Sequence, residues 1–198
     1  MVDQYFSKNP DAISERKSWT YTLKDQLYTF TTDNGVFSKS EVDYGSKKMI
    51  EAFVPPAVDG PILDLGCGYG PVGIALAREN EEREILGVDV NLRAVELANE
   101  NAKQNNVENA NFIESDKFDK IGDRKFAAIL TNPPIRAGKK VVHEMLEQSK
   151  QALLDGGELW VVIQKKQGAP SAQKKLETLF QTVELVTKQK GYYIFKAK

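Results

Sequence analysis

Pro61-Ile-Leu-Asp-Leu-Gly-Cys-Gly-Tyr-Gly-Pro-Val-Gly73 changes character halfway along. Its first half, Ile62-Leu63-Asp64-Leu65, is a short apolar run of the kind that forms a buried strand. Its second half spaces Gly66, Gly68, Gly70 and Gly73 around Pro71. Glycines permit positive φ and let a ligand lie against bare backbone, and proline suits the first turn of a helix. The stretch therefore reads as strand, tight loop and helix N-terminus, the unit from which parallel sheets and nucleotide sites are built. Close packing of helix on strand is the competing explanation for the glycines.

Outward from this unit the chain alternates strand and helix. Upstream, Ser46 to Val54 places Met49, Ile50, Phe53 and Val54 at helical spacing and stops at Pro55-Pro56. Downstream, Glu84 to Asp89 is a second strand, Asn91 caps a helix carrying Ala94, Val95, Leu97, Ala98 and Ala102, and Ala110 to Glu114 is a third strand. Phe126 to Thr131 and Glu158 to Ile163 are two more. The helix between those two starts near Lys139, carries Val142, Met145, Leu146 and Leu153, and is expected to end at Gly156-Gly157. Pro170 opens a last helix, and Val183–Thr187 with Tyr192–Lys196 form a closing antiparallel hairpin. This predicts an α/β doubly wound domain over residues 45–198, with helices on both faces of a mostly parallel sheet. Before it, Trp19 to Thr31 alternates apolar residues with threonines and ends at the Asn34-Gly35 turn signal. Residues 1–44 are thus expected to be an N-terminal hairpin extension packed on the main domain.

The chain has 198 residues, 41% of them hydrophobic and 28% charged, which suits one folded domain. A single cysteine, Cys67, excludes an internal disulfide framework; its place in the glycine loop marks it as a small buried side chain. One histidine, His143, excludes a histidine-rich metal site, and no metal is expected. No apolar run is long enough to cross a bilayer, and Met1-Val-Asp-Gln-Tyr-Phe6 lacks the pattern of a secretory signal. A cytoplasmic protein without membrane attachment is the expectation. The net charge of −1 argues against coating nucleic acid by bulk charge, yet it hides a gradient. Residues 1–100 carry 10 basic and 17 acidic side chains, and residues 101–198 carry 17 and 11. The pairs Lys139-Lys140, Lys165-Lys166 and Lys174-Lys175 either decorate solvated faces or meet as one basic surface.

Three acids and one asparagine carry the chemistry. Asp89 ends the second strand, where an acid grips a ribose hydroxyl pair. Asp64 precedes the glycine loop, where dinucleotide-binding strands have an apolar residue. A carboxylate there repels a pyrophosphate but suits a cationic, amino-acid-like group, which points to S-adenosylmethionine as cofactor. Asp116, after the third strand, is expected on the same rim, where it either bonds an adenine amine or stands solvated in its loop. The fourth strand runs into Asn132-Pro133-Pro134, whose two prolines stop it and hold Asn132 extended at the ligand-binding edge. An exocyclic amine with a delocalised lone pair is a poor nucleophile. If the Asn132 side-chain oxygen and the Pro133 carbonyl accept its N–H bonds, the lone pair is aimed at the methyl group, and displacement then needs mainly proximity and desolvation.

With these residues on view, the chain resembles class I S-adenosylmethionine-dependent methyltransferases. More narrowly it resembles the catalytic half of the small-subunit ribosomal RNA guanine-N2 methyltransferase family. Gly35-Val-Phe-Ser38, Asp43-Tyr-Gly-Ser46, Leu63–Gly68, Asn132-Pro-Pro134, Gly156-Gly-Glu-Leu159 and Gly191–Phe195 carry the likeness. It implies a Rossmann-like, seven-stranded sheet of order 3-2-1-4-5-7-6 with the last strand antiparallel. It also implies a Phe37–Ser46 loop closing over cofactor or base, and methyl transfer to guanine N2 of small-subunit ribosomal RNA. Larger members carry a second, N-terminal half, and the family usually has Phe after Asn-Pro-Pro, able to stack on an extruded base. Here Ile135 stands in that place, leaving Phe37 or Tyr44 to supply a ring.

The resulting site has Asn132, Pro133 and Pro134 as catalytic residues and Asp64, Gly66, Gly68, Gly70, Asp89 and Asp116 around the cofactor. Phe37, Ile135, Arg136, Lys139, Lys140 and Lys165 are expected to face substrate, the cations meeting RNA phosphates; Arg136 pairing with a carboxylate is the alternative for that residue. The partner is expected to be ribosomal RNA or a ribosomal particle. Competing readings are an amino-methyltransferase acting on protein glutamine or DNA adenine, and a non-catalytic RNA-binding or ribosome-assembly module. A dehydrogenase is the more distant possibility.

Overall fold

A computed structural model describes Lys8, residues 13–38 and residues 40–198; Met1–Phe6, which lacks a secretory-signal pattern, lies outside them. A hairpin of β1 (Lys17–Leu23) and β2 (Gln26–Thr32) comes first. There follow α1 (Tyr44–Ala52), β3 (Ile62–Leu65), α2 (Pro71–Glu79), β4 (Ile85–Asp89), α3 (Leu92–Gln104), β5 (Ala110–Glu114) and β6 (Phe126–Thr131). The chain ends with α4 (Lys139–Ala152), β7 (Leu153–Gln164), α5 (Ala169–Leu179), β8 (Val183–Gln189) and β9 (Tyr192–Ala197). Strands β3 to β9 form one sheet in the order β5-β4-β3-β6-β7-β9-β8. Counted within the sheet this is 3-2-1-4-5-7-6, the expected order, and β9 alone runs antiparallel to its neighbours β7 and β8.

Every residue of β3 and β6 is buried, as central strands covered on both faces require. Alternation along them divides the core. Ile62 and Leu130 point to the face covered by the hairpin and α1–α3, whereas Leu63 and Ile129 point to the face covered by α4 and α5. No described helix is long and apolar enough to cross a membrane.

The hairpin turns through Lys24 and Asp25, both at positive φ, and buries Leu23, Tyr28 and Phe30 against the main domain. Its strands pair with each other, so the outer edge of β2 needs other partners. Asn101 of α3 and Asn105, which caps the helix one turn on, supply them. Asn105 accepts from Thr29 N (2.9 Å) and donates to Thr29 O (2.7 Å); Asn101 accepts from Thr31 N (2.7 Å) and donates to Thr31 O (3.0 Å). The match works because residues i and i+4 of a helix and i and i+2 of a strand are spaced alike, about 6 Å. Asn101 also donates to Tyr69 O at 2.9 Å, which ties the glycine loop to the hairpin. Asn101→Ala strands these buried backbone groups, and a loss of about 3 kcal/mol in a urea titration is expected; a loss below about 1 kcal/mol would mean that water replaces the amide.

Two boundaries differ from the expectation: α1 spans Tyr44–Ala52 and leaves Val54 exposed beyond it, before Pro55-Pro56, and the α4–β7 junction lies earlier in the chain. Helix α4 ends at Ala152, and Leu153 opens β7 opposite Phe126, so Leu153 belongs to the strand and Gly156-Gly157 does not end the helix. The glycines serve a register irregularity between Phe126 and Ala128. A Cβ on Gly157 would lie 3.0 Å from three carbonyl oxygens, those of Phe126, Ala127 and Leu154.

Candidate active site

A cleft of about 710 Å³ opens at the carboxyl edge of the parallel strands, the edge at which this architecture binds ligands. The glycine loop forms its floor. Gly66 and Gly68 take φ of +83° and +55°, and a Cβ on either would meet nothing within 4 Å, so their bare backbone faces open space. Gly70 stands apart from the lining. It caps α2 at φ +94°, and a Cβ there would press on Ala98 and Ile74, so it serves helix packing.

The carboxylates expected around a ligand do converge on this floor. Asp64 is buried at 2% exposure, lines the cleft and accepts the Gly73 N–H at 2.9 Å. Burial, with the negative charge of Asp89 beside it, pushes its carboxyl up to about 7 despite that bond. Asp89 accepts from Gly68 N (2.8 Å) and Asn91 N (2.9 Å), binding the loop to the end of β4; burial raises its pKa too. Cys67 is buried and its thiol is held well above the usual range by burial and then by Asp89 and Asp64, which fits a packing role. Asp116 lines the far rim and pairs with Lys117 at 2.8 Å. The cleft floor, where Asp64 and Asp89 lie together, favours a positively charged group.

Across the cleft β6 ends at Thr131, whose hydroxyl donates to Leu65 O at 2.8 Å and keeps β6 and β3 in step. Asn132, Pro133, Pro134, Ile135 and Arg136 all line the cleft. The Asn132 Nδ2 group donates to Asp43 Oδ2 and to Ser46 Oγ, each at 3.0 Å. Among the described residues no donor reaches Asn132 Oδ1 or the Pro133 carbonyl. The two acceptors named from the sequence are therefore available, side by side in the chain, to a ligand amine.

Phe37 lines the cleft and is 42% exposed, whereas Tyr44 lies outside the lining with its hydroxyl on Gln189 Oε1 at 2.8 Å. Of the expected cations only Arg136 lines the cleft. Lys139 and Lys140 begin α4, and Lys165 follows β7. Asp43, Ser46 and Tyr192 also line the cleft, and no local sequence pattern marks them as site residues. Their one signal is the family likeness, carried by Asp43-Tyr-Gly-Ser46 for the first two and by Gly191–Phe195 for Tyr192.

Residues 27–196 match the family model described as "Methyltransferase small domain". The chain belongs to this family. It is 55% identical over 199 residues to the uncharacterised protein YbxB of Bacillus subtilis, covering 100% of this chain and 99% of that one. It is 30% identical to the ribosomal RNA small subunit methyltransferase C of Vibrio parahaemolyticus, over 92% of this chain and 52% of the relative. Among solved structures it is similar to the T. thermophilus 16S rRNA N2 methyltransferase in complex with AdoMet and guanosine, with a TM-score of 0.83, 27% identity, and coverage of 96% of this chain and 52% of that chain. The chain thus spans about half the length of the ribosomal RNA methyltransferases that it matches. The matched region begins within β2, so part of the hairpin falls inside it.

Proposed function

We propose that the protein transfers a methyl group from S-adenosylmethionine to an exocyclic amine of RNA, with guanine N2 of small-subunit ribosomal RNA as the target. The observation that carries this reading is the pair of acceptors at Asn132 Oδ1 and Pro133 O, fixed at the strand end beside the glycine loop. S-adenosylmethionine is the cofactor, and it supplies an electrophilic methyl group on a positively charged sulfur. Gly66 and Gly68 give it bare backbone to lie on, Asp64 faces its ammonium end, Asp89 its ribose and Asp116 its adenine. Asn132 and Pro133 orient the amine by accepting its two N–H bonds, and Pro134 fixes the backbone that follows. Ile135 and Phe37 offer the base an apolar surface in the cleft.

The sheet also separates charge. Residues 126–143, 164–176 and 185–198 contain no Asp or Glu. Topology brings their cations to one half of the carboxyl edge: Arg136, Lys139 and Lys140 after β6, Lys165 and Lys166 after β7, and Lys188 and Lys190 at the tip of the β8–β9 hairpin. The hairpin tip sits beside β7, since Lys165 N donates to Gly191 O at 2.8 Å. Lys140 has a loose partner in Glu144 at 3.9 Å, and among the described residues the other six make no ion pair. The pair Lys174-Lys175 belongs elsewhere, on α5, where Lys175 pairs with Glu147. Phosphates of a strand leading into the cleft suit this rim. The double variant Lys139→Glu/Lys165→Glu is expected to raise the KM for RNA about tenfold and to flatten its salt dependence by about two charges. S-adenosylmethionine binding measured by calorimetry stays unchanged.

The reading is tested by incubating the protein and labelled S-adenosylmethionine with total RNA and ribosomal subunits from cells lacking the gene, then analysing nucleosides by mass. Methylated guanosine in small-subunit RNA is the expected product. Label confined to protein or DNA overturns the assignment.

A further inference from the structure

Asp43 is a single carboxylate serving three donors from three parts of the chain. Its Oδ2 accepts from Ser46 N (3.0 Å), capping α1, and from Asn132 Nδ2 (3.0 Å); its Oδ1 accepts from Tyr192 OH (3.3 Å). An asparagine amide is nearly symmetric in shape, so which end faces a ligand depends on its hydrogen-bond partners. A carboxylate only accepts. Turning the Asn132 amide over would set its oxygen against Asp43 Oδ2, two acceptors at hydrogen-bond distance. Ser46 Oγ takes the second amide proton at 3.0 Å, so both N–H groups are committed on one side and Oδ1 is committed to the other.

The neighbouring residues hold this carboxylate in place. A Cβ on Gly45 would lie 2.6 Å from the Tyr192 ring, so glycine there lets Tyr192 lie across the first turn of α1 and reach Asp43. Tyr192 also joins the sheet as the first residue of β9, paired with Gln164 at the end of β7. The helix start and the sheet edge are thereby fixed to each other through one side chain.

We propose that Asp43 is a positioning residue for methyl transfer: it fixes the Asn132 amide so that Oδ1 faces the substrate amine. The inference rests on the function proposed above and assigns Asp43 no contact with substrate and no proton transfer.

Two substitutions separate this role from capping and from charge. Asp43→Ser keeps a good helix cap but is too short to serve Asn132 and Tyr192 together. Asp43→Asn can place its oxygen where Oδ2 stands and its amide toward Tyr192 OH, keeping the orientation without the charge. In the RNA assay, Asp43→Ser is expected to lower kcat about 50-fold with little change in KM or in cofactor affinity, an effect of the size that misplaced reacting groups produce. Asp43→Asn restores most of that loss. Equal defects in the two variants would mean that the charge itself acts, and wild-type kcat in Asp43→Ser would remove the role; either result overturns the proposal. The Asn132 side-chain amide protons, followed by ¹⁵N-resolved NMR and assigned against Asn132→Ala, give a readout independent of RNA. Slow exchange is expected in the wild type and in Asp43→Asn, and fast exchange in Asp43→Ser; unchanged protection in Asp43→Ser overturns the proposal. If the wild type methylates no RNA, the substrate assignment fails while this measurement still decides whether Asp43 holds Asn132.

Discussion

Asn132→Ala is expected to lower kcat for methyl transfer by about 10³-fold and to leave the affinity for S-adenosylmethionine within about twofold. The size follows from what the side chain does. A base amine is a weak nucleophile because its lone pair is shared with the ring, and aligning it with the methyl group is worth factors of this order. Asn132 Oδ1 and Pro133 O are neighbouring acceptors that no donor among the described residues reaches, and the substitution leaves Pro133 O alone, free to bond an amine that can still rotate. Cofactor affinity is spared because Asp64, Asp89 and the glycines belong to β3, β4 and the loop between β3 and α2, and none of them bonds Asn132. Single-turnover kinetics with labelled cofactor, beside calorimetry on the same preparation, checks both halves. A kcat within tenfold of wild type would place the orienting function elsewhere. A parallel loss of cofactor binding would mean that Asn132 supports the cleft as a whole.

What the sequence made legible here was what is local. Strand, glycine loop and helix follow one another within Pro61–Gly73, so the positions of Asp64, Gly66 and Gly68 were readable from spacing alone, and Pro133-Pro134 marked the end of β6 in the same way. The sheet order came from the family likeness, since strands paired across intervening helices leave no local trace. Leu153 fitted the helical stripe of α4 yet pairs with Phe126, because a long-range parallel register took precedence over a local period. Gly70 looks like its neighbours in the sequence, and only the position of Ala98 shows that it packs a helix. Asp43 and Tyr192 are 149 residues apart, and the network joining them to Asn132 exists only once β9 lies beside β7 and α1 covers them. The paired amides of Asn101 and Asn105 escaped for the same reason: one turn of helix is measured there against two residues of a strand far upstream.

Asp64 should make cofactor binding depend on pH between about 5.5 and 7.5, a range in which the cofactor's ammonium stays largely charged. Burial and the nearby Asp89 charge push the Asp64 carboxyl up to about 7 in the ligand-free protein, from an ordinary value of 3.8. The folded state therefore holds a proton that the unfolded chain releases near pH 4. By linkage, this group's contribution to stability is fully present below about pH 4 and is lost as pH rises to about 7. An ammonium group placed against Asp64 favours the ionised form and opposes that loss. Affinity should then rise with pH by up to about tenfold per unit below 7, with release of a proton on binding. The thermal shift produced by saturating S-adenosylmethionine should grow accordingly between pH 5.5 and 7.5. Asp64→Asn cannot ionise. It is expected to bind about 100-fold more weakly at pH 7.5, the cost of removing a charged hydrogen bond from a buried site, and to lose the pH dependence that Asp64 contributes. An unchanged slope in Asp64→Asn would assign the titration to Asp89. A wild-type thermal shift that does not vary with pH would mean that Asp64 stays protonated beneath the ligand, acting as a neutral hydrogen-bonding wall of the cleft.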